Sequence, residues 1–99
     1  MEFNIALVHG VDAKTASENI SSEFGKLEQM LETDLEEASL QLLGWMESFH
    51  SFLEYKCVEC VGNTKEAGRI LEISKTVFAL TERFVNKHKE VRKRRREVK

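Results

Sequence analysis

Two cysteines, the only ones in the chain, stand three positions apart at Cys57 and Cys60 in the stretch Lys56–Gly68, KCVECVGNTKEAG. Thiolates so spaced at a helix end can share one ion, and zinc asks for four ligands. The nearest histidine, His50, is seven residues upstream of Cys57, about 10 Å along a helix axis, too far to join without unwinding. Glu54 and Glu59 are weak substitutes. Zinc therefore needs a second copy that brings two more thiolates. A thioredoxin-type redox pair needs a βαβ setting, and no such pattern flanks the motif. The remaining reading is a turn with two small, semi-buried thiols packed at its tip.

The stretch KCVECVGNTK resembles the zinc hook of the double-strand-break repair ATPases, where a Cys-x-x-Cys lies at the apex of an antiparallel coiled coil. The proline that this hook usually carries between its cysteines is absent here. The resemblance implies a dimer linked by zinc through Cys57 and Cys60.

A second cluster is cationic. Lys87, Lys89, Arg92, Lys93, Arg94, Arg95, Arg96 and Lys99 place eight positive side chains in thirteen residues. On a helix they surround the axis. Such a tail neutralises phosphates without reading bases, and its hold weakens steeply with salt. In a eukaryotic or viral protein the run RKRRR would also serve as a nuclear localisation patch. The competing reading is a solvated helix end, whose cations complement the macrodipole. They can also pair with acidic side chains upstream.

Other chemistry finds little support. His50 in ESFHSFLEY lacks the lysine–glycine pair that usually follows a phosphotransfer histidine, and Phe49 and Phe52 crowd it. Glu47-Ser-Phe-His50 matches one half of a di-iron motif, but such a site needs two of these plus further glutamates. Glu32, Asp34, Glu36 and Glu37 read as a solvated helix face, because a calcium loop needs a glycine-bearing turn. There is no nucleophile elbow and no phosphate-binding glycine loop. The expectation is a chain that is not an enzyme, with zinc the sole candidate cofactor.

The elements that carry these residues read as helices. The 99 residues allow one domain. There is no proline and 32% of residues are charged, which suits long amphipathic helices. Residues 1–64 hold 12 acidic and 3 basic side chains, while residues 65–99 hold 5 and 12. The halves attract, in cis or between chains. Phe3, Ile5 and Leu7 alternate, which suits a short strand or extended arm over residues 1–11, and a first helical turn fits almost as well. Thr15 with Glu18 fits a capping box, with Asp12 as a rival cap. Apolar residues then step by three and four through Ile20, Phe24, Leu27, Leu31, Leu35, Ala38, Leu42, Trp45, Phe49 and Phe52. Helix 1 is thus expected at about 15–58, with Gly44 as the place where it would bend or split. Gly62 suits a left-handed position after its end. Asn63 caps helix 2 at about 64–91, and a basic tail follows over 92–99.

The expected fold is all-α: a long antiparallel helical hairpin, dimerising into a four-helix bundle, with a compact three-helix monomer folded at Gly44 as the alternative. Two rods alone leave the broad end of the stripe wet. Leu42, Trp45, Met46, Phe49, Phe52, Phe78 and Phe84 are therefore the expected partner-binding residues, and the partner is a second copy or another helical protein. The expected function is a non-enzymatic helical interaction module: an adaptor, chaperone-like partner or assembly factor. The alternatives are nucleic-acid binding through the basic helix and the zinc-linked dimer. No apolar run is long enough to span a bilayer. The start MEFNIALVHG does not read as a signal peptide. The expected location is intracellular, cytoplasmic or, in a eukaryotic or viral setting, nuclear.

Overall fold

A computed structural model describes residues 1–97; Val98 and Lys99, the end of the expected basic tail, lie outside the described residues. Three helices follow a short 3-10 turn at Ile5–Leu7: α1 (Ala13–Leu31), α2 (Leu35–Glu59) and α3 (Thr64–Glu97). The protein is all-α, with no strand among the described residues. The alternating segment Phe3–Leu7 is an arm bent by the 3-10 turn, where Asn4 Oδ1 accepts the Ala6 N–H.

The long first helix expected from the periodicity is two helices. The break falls at Glu32–Asp34, not at Gly44. Asp34 adopts extended backbone and its side chain accepts the Glu37 N–H. Thr33 donates its hydroxyl to the Met30 carbonyl, and the Asp34 N–H bonds the same carbonyl. Each helix end is thus satisfied locally, which is what a tight reversal requires. Gly44 lies inside an unbroken α2. A Cβ there would sit 3.7 Å from the Met1 carbonyl oxygen, an ordinary van der Waals contact.

The other caps follow the sequence more closely. Asp12, the rival to Thr15, starts α1 by accepting the Thr15 N–H at 2.8 Å. Gly62 has φ +80°, and Asn63 accepts the Glu66 N–H at 3.1 Å. The second helix of the hairpin runs to Glu97, past the boundary expected near residue 91 and into the basic stretch.

Cross-helix contacts set the directions. Ser17 bonds Thr76, Arg83 pairs with Glu28 and Arg94 with Glu32, so α1 and α3 run parallel. Thr81 contacts Met46, and Lys56 contacts Glu66, so α2 runs antiparallel to both. α2 and α3 form the expected hairpin, and α1 packs against each of them. The rod measures 57 × 20 × 17 Å, and α3 alone spans about 51 Å of it at 1.5 Å per residue.

The seam is filled by Ile20, Phe24, Leu27 and Leu31 of α1, Leu42, Trp45, Phe49 and Phe52 of α2, and Ile73, Val77, Leu80 and Phe84 of α3. Phe3 of the arm packs against Trp45, Phe49 and Phe52 with ring centroids 5.0–5.3 Å apart. Burying each such ring contributes about 1.5–3 kcal/mol.

Candidate interaction surface

A three-helix rod has three outer grooves, and this sequence treats each differently. Beside α1 and α2 lies the arm: Phe3 covers the α2 rings, and Asn19 of α1 donates its side-chain amide to the Leu7 carbonyl at 2.8 Å. Between α1 and α3 the surface is polar. Ser17 meets Thr76 at 2.9 Å, and Arg83 meets Glu28 at 2.6 Å. The α2–α3 groove keeps large apolar side chains in water. Leu43 is 64% exposed, Leu71 55%, Phe78 72% and Val85 41%.

Helical spacing gathers these residues. Leu71, Phe78 and Val85 step by seven along α3, which puts them on one side of the helix. Leu43, His50 and Cys57 do the same along α2. Leu43 and Val85 line one depression, and Leu53, Cys57 and Leu71 line another. Glu36, Glu47 and Glu54 are exposed on the α2 side, and Lys75, Glu82 and Lys89 on the α3 side.

Of the seven residues expected to meet a partner, five belong to the chain's own core. Leu42, Trp45, Phe49, Phe52 and Phe84 are buried. α1 and the arm cover the stripe that a two-helix hairpin would have left wet. Met46 is half-buried with its sulfur 3.7 Å from the Thr81 hydroxyl. Phe78 alone of the seven is largely exposed. Leu43, Leu71 and Val85 were absent from that expectation, although the seven-residue steps on α3 carry the signal.

The cationic residues divide. Arg94 donates to Glu32 Oε1 at 2.9 Å, and Arg95 donates to the Glu32 carbonyl, at the C-terminus of α1, at 3.1 Å. Lys93 lies 4.0 Å from Glu97. Lys89, Arg92 and Arg96 are exposed and Lys87 is half-buried. Asp34, Glu36 and Glu37 stand at the same end of the rod, in and after the α1–α2 turn.

Cys57 is exposed and Cys60 half-buried, both as free thiols. Among the described residues, no three or more His, Cys, Asp or Glu side chains gather to hold a metal within one chain. The zinc arrangement thus still requires a second copy. His50 is exposed with Nδ1 3.2 Å from Glu54 Oε1. His88 is half-buried beside Phe84.

One ionic cluster fixes the other end. Arg69 donates to both Glu66 carboxylate oxygens at 2.6 and 3.1 Å and, through one nitrogen, to the carbonyls of Val8 and Val11 at 2.8 and 2.9 Å. Lys56 reaches Glu66 and Glu59, each at 3.3 Å. The Arg69 hydrogen bonds, assisted by Lys56, hold the Glu66 carboxyl down to about 2. For Lys56 burial acts to lower the pKa, but its bonds to Glu59 and Glu66 outweigh that and raise it. The cluster ties the start of α3 and the end of α2 to the arm.

Among the described residues no helix is long and apolar enough to cross a membrane. No family model, curated protein or solved structure matches the chain.

Proposed function

We propose that this chain is a non-enzymatic helical interaction module whose working surface is the α2–α3 groove, where a helix or helical pair from a second copy or another protein docks. The observation that carries this reading is the shared exposure of Leu43, Leu71, Phe78 and Val85 along one face. Exposed large side chains scattered singly are ordinary, whereas a contiguous set along one groove marks a contact surface. Helical partners fit because the groove is straight and its apolar residues recur at helical intervals. Of the two neighbouring grooves, the arm packs along one and polar pairs bridge the other.

The test is a display library of amphipathic helical peptides selected against the full chain, with mass measurement of the chain alone. Expected binders carry apolar residues three and four apart and lose their hold on Phe78→Asp. A chain that neither self-associates nor selects any such peptide overturns the reading.

A further inference from the structure

We propose that a second copy of this chain occupies the α2–α3 groove, the two copies being related by a two-fold axis parallel to the helices. This rests on the reading of the groove as a docking surface.

The first argument is register. α2 and α3 run antiparallel with Met46 opposite Thr81. Counting outward from that contact, Leu43 comes level with Val85, His50 with Phe78 and Cys57 with Leu71, each to within one residue. A two-fold axis along the groove lays α2 of each copy over α3 of the other at unchanged height. Leu43 of one copy then covers Val85 of the other, and the exposed Phe78 ring lies against the His50 region. Both apolar rows are buried by a single self-complementary contact, as an isologous interface requires. Four helices, two from each copy, then enclose one apolar seam.

The second argument is charge, and it selects the axis. The α2 edge carries Glu36, Glu47 and Glu54. The α3 side carries Lys75, Lys89 and Arg92 against Glu82. An axis perpendicular to the helices would set the acidic α2 edges on each other and the cationic α3 sides on each other. An axis parallel to them sets acidic edge against cationic side, with Glu54 of one copy within two residues of the height of Lys75 of the other. Glu47 meeting Glu82 is the one like-charged encounter. Within a chain Glu54 pairs only with exposed His50, and Lys75 only with Glu72 at 3.5 Å. Both are solvent-exposed contacts that exchange at little cost.

The experiment is sedimentation equilibrium of the full chain, with circular dichroism as the fold control. The expected wild-type mass is twice that of the chain. Phe78→Asp, at a position already in water, keeps its helicity and weakens the dimer by at least about 100-fold. Glu54→Lys and Lys75→Glu each weaken it by about fivefold, and the double variant Glu54→Lys/Lys75→Glu recovers most of that loss. A monomeric wild type at about 100 μM, a concentration at which even a weak specific dimer would be populated, overturns the second copy as occupant. Peptide selection through Phe78 would still support the docking reading in that case. A dimer indifferent to Phe78→Asp overturns the second copy in this groove. A dimer sensitive to Phe78→Asp but not rescued by the double variant overturns the parallel axis.

Discussion

Arg69 is the most connected side chain outside the core. Its guanidinium bonds a carboxylate on its own helix and two backbone carbonyls of the arm. Arg69→Ala leaves the Val8 and Val11 carbonyls without that donor and is expected to cost about 1–3 kcal/mol, read from urea unfolding. Glu66 adds a pH dependence of known sign. Its pKa is lowered from 4.5 to about 2 in the folded chain. Its stabilisation is therefore fully present above the unfolded value and is lost as pH falls from about 4.5 towards about 2. Urea midpoints measured at about pH 5 and about pH 3 should fall further for the wild type than for Glu66→Gln. Equal falls would show that Glu66 carries none of the acid sensitivity. The partners of Arg69 were not legible in the sequence, because they are backbone carbonyls 58 and 61 residues away. Only the local part was readable: Asn63 and Glu66 as the start of a helix.

At the scale of elements, the periodic stripe gave the helices but hid one boundary. Leu27, Leu31, Leu35 and Ala38 keep helical spacing straight through the reversal at Glu32–Asp34, and neither glycine nor proline marks it. The surviving signal is Asp34 three residues before Glu37, a cap inside an apparently unbroken pattern. Asp34→Ala should cost about 1 kcal/mol of stability, the usual loss for an N-cap. Missing this turn displaced the predicted contact surface. With α1 folded back, Trp45, Phe49 and Phe52 become core, and the groove on the far side of the hairpin becomes the exposed one. The arm leaves two readings open in the sequence, extended chain and a first helical turn, and the 3-10 turn at Ile5–Leu7 fits the second. Phe3, Ile5 and Leu7 alternate, yet only Phe3 is buried and Ile5 is 52% exposed. Phe3→Ala removes the ring that covers three aromatic side chains and should cost about 3 kcal/mol in thermal or urea unfolding.

Over the whole molecule, the split between an acidic first part and a basic last part is met in part within the chain. Parallel packing of α1 and α3 brings Glu32 to Arg94 and Arg95. The most cationic end of the rod is also the end that holds Asp34, Glu36 and Glu37. Nucleic-acid retention is therefore expected to be weak: detectable at about 50 mM salt, lost by about 200 mM, and abolished when residues 92–96 become alanine. Retention that persists at the higher salt would move phosphate binding from an alternative to the leading place. The proposed two-fold axis also separates the cysteine pairs, because Cys57 of each copy faces Leu71 of the other. Chelator should accordingly leave the mass of the dimer unchanged, as should Cys57→Ser. A mass that halves on chelation would favour the zinc-linked alternative.

Trp45 is the chain's sole tryptophan, and it is fully enclosed with Phe3, Phe24 and Phe49 around it. Its indole N–H has no hydrogen-bonding partner among the described residues. Nature has thereby installed a fluorophore whose colour reports on the first few residues of the polypeptide. Emission should begin far to the blue. Because one wall of that chamber belongs to the arm and not to a helix, mild denaturant should redden the spectrum before ellipticity declines, separating release of the wall from collapse of the rods.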